Sequence, residues 1–197
     1  AGRPGAQPAG QPQNDGCCQR QHPARSAKRQ SPEPQRPGDP GVFAMASAIF
    51  EVVDKKNISI DDSSIVVLPG ITALLAASAR LGAPIGHDFC VINLSDNLKS
   101  WDILKSRVIA AAKADFVIAF YNPRSKSRKN QLSEIYDVLR KNCKSDRIVI
   151  YANSISTESE AVFETKLSEA DASSVSMKTL VIIGSSRTKK IRNTGYI

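Results

Sequence analysis

Ser64-Ile65-Val66-Val67-Leu68-Pro69-Gly70-Ile71-Thr72-Ala73 is the stretch on which the fold turns. Its first half is short, uncharged and largely β-branched, which predicts a buried parallel strand over Ser64–Leu68. Pro69 cannot continue a central strand and Gly70 frees the backbone, so the chain must turn there. From Ile71 to Leu81 it is rich in Ala and Leu, and it stops at Gly82 with Pro84 beyond. That is a helix with its stop signals. Strand, glycine turn and helix make half of an α/β crossover, and in open α/β sheets ligands collect at the carboxyl ends of strands.

Outward from this turn the chain is uneven. Residues 1–37 contain no Val, Ile, Leu, Met, Phe, Trp or Tyr, yet hold seven of the eleven prolines and seven glutamines. Nothing there offsets the entropy of ordering, so the sequence predicts a disordered tail. It has no apolar core segment of the secretory kind. Out-of-frame translation would also produce such a stretch. The net charge of +8 divides equally between the tail and the rest. A basic folded part matches nucleic acid, a membrane surface or an acidic small substrate. Aromatics are only 6% and no basic strand carries them in the RNA-recognition pattern, so nucleic acid is not expected. No apolar run reaches the length of a membrane span. The four cysteines and two histidines show no metal-ligand spacing, and a cytoplasmic, reduced setting without a protein-bound metal is the expectation.

Val42, Met45, Ala46, Ile49, Phe50 and Val53 recur at helical spacing, which predicts a helix entered at Asp39-Pro40. Asp39 has two readings, as that helix's cap or as an acceptor for a ligand's hydroxyl or amine. Further along, His87–Ser95 reads as a strand, Leu98–Lys113 as a helix and Asp115–Tyr121 as a second buried strand. A helix carrying Leu132, Ile135, Tyr136 and Leu139 follows, then strands at Arg147–Tyr151, Ala161–Leu167 (antiparallel) and Thr179–Gly184. Arg124-Ser125-Lys126-Ser127-Arg128-Lys129 puts four cations at the carboxyl end of a strand. Its plain reading is a solvated approach to a helix. Its functional reading is a site for a polycarboxylate, since Arg forks pair with carboxylates bidentately.

Four blocks carry a more specific signal: GDPGVFAMA (38–46), VLPGITALLAASARLGAPIGHDFCVINLSD (67–96), ADFVIAFYNPRSKSR (114–128) and TLVIIGSS (179–186). In their order and spacing they resemble the tetrapyrrole methylases, and within that family the branch that works in cobalamin biosynthesis. The resemblance implies two α/β domains with S-adenosylmethionine (SAM) between them. Here these would be a partial N-terminal domain over 38–86 and a C-terminal one over 87–197. The family's opening strand and Gly-x-Gly-Pro-Gly turn have no counterpart in residues 1–37, so the first domain is expected to be truncated.

The implied reaction is SAM-dependent methylation at carbon, with ring contraction, of precorrin-3B or its cobalt form. Carried over, Gly38, Asp39, Val42, Thr72, Ala73 and Asn122 would contact SAM, with Ala152 to Ser154 a weaker assignment. Tyr121, Arg124, Lys126 and Arg128 would meet the anionic tetrapyrrole. No general acid or base stands out; His87 and Asp96 are the weak candidates. Homodimers are usual in the family. Two other readings remain: an inactive remnant of such an enzyme, or a SAM methyltransferase of the same fold acting on RNA or protein.

Overall fold

Val117-Ile118-Ala119-Phe120-Tyr121 and Thr179-Leu180-Val181-Ile182-Ile183 offer apolar side chains to both faces of a strand, and both segments become inner strands. The computed structural model describes residues 38–59, 61, 65–95, 99–192 and 195–197. Four expectations fall outside them wholly or in part: the tail over 1–37, the start of the strand at Ser64, Asp96, and the start of the helix at Leu98.

The elements in chain order are α1 (Met45–Lys55), α2 (Ala73–Leu81), β1 (Phe89–Asn93), α3 (Trp101–Lys113), β2 (Val117–Tyr121) and α4 (Gln131–Asn142). They are followed by β3 (Ile148–Asn153), β4 (Ala161–Lys166), β5 (Thr179–Ile183), and the short β6 (Lys190–Ile191) and β7 (Gly195–Tyr196). One five-stranded sheet runs in the order β1-β2-β5-β3-β4. β1 and β2 are parallel, β5 is antiparallel to both β2 and β3, and β4 is antiparallel to β3. Strands β1, β2 and β3 therefore point the same way and deliver their carboxyl ends to one edge. β6 and β7 form a separate two-stranded ribbon.

Period-2 alternation divides the sheet's side chains between two cores. Ile92, Ile118, Phe120, Val149, Tyr151, Val181 and Ile183 meet α3 and α4 on one face. Val117, Ala119, Ile150, Ala152, Leu180 and Ile182 meet Leu74, Ala77 and Leu81 of α2, with Tyr196, on the other. In α4, Leu132, Ile135, Tyr136 and Leu139 are buried, an i, i+3, i+4, i+7 stripe. α2 ends at Gly82 with φ +95°, a conformation that favours glycine. At the amino ends of β2 and β3, Asp115 accepts hydrogen bonds from Ser186 and from the buried Arg147, tying three loops together.

Two sequence expectations are corrected. Ile65–Leu68 is not a strand, and Val66 and Leu68 are each 72% exposed. A strand is held by its ladder, and among the described residues no neighbour pairs with this segment; β-branched composition alone satisfies no backbone N–H or C=O. The first helix begins at Met45, not at Asp39-Pro40. Asp39 bonds instead to Gly70, far along the chain, and Phe43 turns to φ +52°, off any helical path. The apolar stripe of α1 is largely uncovered: only Ala46 is buried, while Met45, Ile49 and Phe50 are about half exposed.

Candidate cofactor and substrate site

The Pro-Gly turn and the helix it opens are held by two contacts, one from the Asp39 loop and one from the carboxyl edge of the sheet. In the first, Asp39 Oδ1 accepts the Gly41 amide at 2.7 Å, and Oδ2 accepts the Gly70 amide at 3.0 Å. These two amides, Gly70 first, hold the carboxyl below the usual aspartate range. The loops lie so close that a Cβ on Gly70 would sit 2.3 Å from the Gly38 carbonyl oxygen. Only glycine fits there.

The second contact comes from Tyr121, the last residue of β2. Its hydroxyl accepts the Leu74 amide at 2.8 Å and lies 2.5 Å from Thr72 Oγ1. Thr72 is the N-cap of α2 but makes no side-chain cap bond of its own. The tyrosine takes over that task, satisfying one of the amides a helix start leaves unpaired. Phe43 packs on the same ring at a centroid distance of 5.3 Å. One side chain of the sheet thus fixes the 38–43 loop and the start of α2 together.

Beside Tyr121, Asn122 takes φ +51°, and its Nδ2 donates to Asn93 Oδ1 at 3.1 Å. Asn93 closes β1, and Asn153, which closes β3, accepts from Thr179 Oγ1 at 3.2 Å. Two of the three parallel strands, β1 and β3, therefore end in an asparagine at this edge, and in β2 an asparagine follows directly. Phe43, Asn122 and Ser154 all hold left-handed backbone around it, a conformation uncommon for residues other than glycine.

Of the residues named from the sequence, the structure gathers Gly38, Asp39, Thr72, Ala73, Tyr121 and Asn122 on linked segments, with Val42 in the Asp39 loop. Ala152 is buried under α2 rather than open at the edge. Tyr121 is a strut between sheet and helix. Arg124 donates to the carbonyl oxygens of Ala172 and Ser173 at 2.9 and 2.6 Å, so it pins a loop. Arg128 donates through Nε to Ser125 Oγ at 3.2 Å, closing its own turn. Lys126 is exposed. His87 is exposed and precedes β1, about 20 Å of strand away from Asn93, so it is not brought to this edge. Sequence reasoning passed over Phe43, Asn93 and the amide of Leu74. Asn93 could have been found as the polar residue closing an apolar strand; nothing local marks Phe43.

A family model, Tetrapyrrole (Corrin/Porphyrin) Methylases, matches residues 35–171. The chain belongs to the tetrapyrrole methylase family. Among curated tetrapyrrole methylases it is 47% identical over 158 residues to precorrin-3B C(17)-methyltransferase of Sinorhizobium sp, covering 80% of this chain and 62% of that protein. It is 39% identical over 151 residues to the probable cobalt-factor III C(17)-methyltransferase of Salmonella typhimurium, covering 77% and 61%. The chain thus spans about three fifths of the length of these relatives. The crystal structure of the methyltransferase CobJ superposes with a TM-score of 0.75 at 45% identity, over 81% of this chain and 66% of that one. Uroporphyrin-III C-methyltransferase from Thermus thermophilus, solved with S-adenosylhomocysteine, matches at TM-score 0.51 and 18% identity over 75% of this chain and 62% of that one. That match speaks for the shared fold alone. Among the described residues no helix is long and apolar enough to cross a membrane, and no group of side chains is arranged to hold a metal ion.

Proposed function

We propose that the chain binds SAM at the edge built by Asp39, Gly70, Thr72, Tyr121 and Asn122, and that its methyl acceptor is precorrin-3B or the cobalt-loaded equivalent. The observation that carries this reading is the meeting of the Gly38–Val42 loop, the Pro69–Ala73 turn and the end of β2 through the Asp39–Gly70 and Tyr121–Leu74 bonds. The identity to precorrin-3B C(17)-methyltransferase supports the acceptor.

The donor set suits the cofactor. SAM carries a sulfonium, an ammonium and ribose hydroxyls. The edge offers an ionised aspartate and the polar side chains of Thr72 and Asn122. Gly38, Asp39 and Val42 would face one part of the cofactor, Thr72 and Ala73 another, and Asn122 a third. SAM, when bound, supplies an electrophilic methyl group. The protein's part is to align that methyl with the acceptor carbon and to exclude water. Asp39 stays ionised because two amides donate to it, so it presents a fixed negative charge beside a cationic ligand. Tyr121 keeps the start of α2 in place rather than touching the reacting atoms. Tyr121, Arg124, Lys126 and Arg128 remain the segment proposed to lie toward the tetrapyrrole. The two arginines would shape the loop through Ala172, Ser173 and Ser125.

The experiment is methyl transfer from isotopically labelled SAM, with precorrin-3B and bulk RNA as parallel acceptors. Label in the tetrapyrrole fraction alone supports the reading. Label in RNA would replace the acceptor but keep the cofactor. No label in either, from a chain that still binds SAM, would leave a binding protein without turnover.

A further inference from the structure

The basic loop between β2 and α4 lines two grooves. One, of about 630 Å³, opens at the N-terminal ends of α3 and α4 and is lined by Trp101, Lys126, Ser127, Lys129, Asn130 and Glu134 among others. The other, of about 300 Å³, is lined by Arg124, Val175 and Met177 among others and shares Lys126 and Lys129 with the first. These two lysines line both grooves.

The loop's four cations divide by what they touch. Arg124 donates to the carbonyls of Ala172 and Ser173, and Arg128 to Ser125 and the Met177 sulfur, with Arg128 Nη1 buried and without a hydrogen-bond partner among the described residues. Their role is to hold the loop against residues 172–177. Lys126 and Lys129 are exposed, and among the described residues neither has a carboxylate partner. The carboxylate in the wider groove, Glu134, accepts the indole N–H of Trp101 at 2.8 Å. That bond fixes the indole as a flat wall and turns the carboxylate toward it.

We infer that Lys126 and Lys129 form a two-cation clamp that holds carboxylates on the rim of a planar anionic ligand, with Trp101 as the groove's aromatic wall. The inference rests on the reading of the substrate as an anionic tetrapyrrole; it keeps Lys126, adds Lys129 and Trp101, and leaves the two arginines chiefly to hold the loop. Ammonium groups on flexible stems act as movable point charges, unlike the fixed forks of arginine. Such a clamp tolerates carboxylates at varied positions and weakens with salt.

Trp101 is the only tryptophan of the chain, so its fluorescence reports from the groove wall. The probe is uroporphyrin III, a stable polycarboxylate tetrapyrrole, titrated at low and high salt against the whole chain and a Lys126→Ala/Lys129→Ala variant. Calorimetry with S-adenosylhomocysteine is run on the same samples. The clamp predicts saturable quenching in the parent, about tenfold weaker affinity in the variant, and a shallower salt dependence there. Equal affinity and equal salt dependence in both proteins would overturn it. So would a parent chain that uroporphyrin fails to quench. In either case the S-adenosylhomocysteine titration reports separately on the cofactor reading. Quenching that is weakened by the substitutions while cofactor heat persists supports the clamp.

Discussion

The Tyr121 hydroxyl, at the end of a buried strand, accepts the backbone amide of Leu74 at 2.8 Å, across 47 residues of sequence. It is the acceptor that Thr72, the N-cap of α2, does not supply itself. A capping oxygen is worth about 0.5–2 kcal/mol. Tyr121→Phe keeps the ring, its contact with Phe43 and its place in the core, and removes only that oxygen. Urea titration should show a loss of stability in that range. A variant as stable as the parent would mean that water caps α2 equally well.

Thr72→Val isolates the other half of the contact. It preserves volume and removes the hydroxyl that meets Tyr121 at 2.5 Å. The partly buried tyrosine loses one partner but keeps Leu74, so stability should fall by about 1 kcal/mol or less. Cofactor affinity, measured by calorimetry, should fall about tenfold if the same hydroxyl also meets the ligand. A stability loss with unchanged affinity would confine Thr72 to a structural role.

Acid should act through Asp115. Burial pushes its pKa up, but hydrogen bonds from Ser186 and the charges of Arg147 and Arg187 outweigh this and leave it lowered. A depressed folded pKa contributes stability above the unfolded value of about 3.9, and that stability is lost as pH falls through the folded pKa. Asp115→Asn should remove this acid-dependent component and cost about 1–3 kcal/mol at neutral pH, because the buried Arg147 loses its counter-charge. The lower end is expected, since Asp115 is 38% exposed and solvent screens the pair. Thermal melts between pH 3 and about 7 would show it. An unchanged acid limb in the variant would move the effect to other carboxylates.

Limited proteolysis should cut within Ile65–Ile71, where the chain has no regular structure and Val66, Leu68 and Ile71 are over 70% exposed. The surviving fragment should begin near Thr72, because Leu74, Ala77 and Leu81 bury α2 against the sheet. A fragment beginning near His87 instead would show that α2 detaches as part of a separate N-terminal unit.

These outcomes bear on what the sequence could reveal. The strands and helices from His87 to Ile183 were legible to within a few residues, because each is an apolar run or stripe long enough to bury itself in one sheet and its cover; the two-residue strands β6 and β7 were not, since so short a ribbon carries no periodic signal. β4 was readable as antiparallel, and it pairs so with β3. Ile65–Leu68 misled because a β-branched run specifies a strand only beside another strand. The capping reading of Asp39 misled because its carboxylate reaches 31 residues ahead to Gly70, a tertiary contact that local capping rules do not contain. The basic loop was visible as charge, but which cations are spent on backbone carbonyls depends on residues 172–177, far along the chain.

The closeness of Gly70 to Gly38 gives the most direct test of the central claim, that the two loops and the end of β2 together hold SAM. Gly70→Ala places a methyl group 2.3 Å from the Gly38 carbonyl and must push the Asp39 loop away, while leaving both buried cores untouched. Calorimetry with S-adenosylhomocysteine on parent and variant decides the matter. The account predicts one-to-one binding by the parent and at least tenfold weaker binding by the variant, with nearly equal thermal melts. A folded parent chain that binds no S-adenosylhomocysteine, or a variant that binds it as tightly, would contradict it.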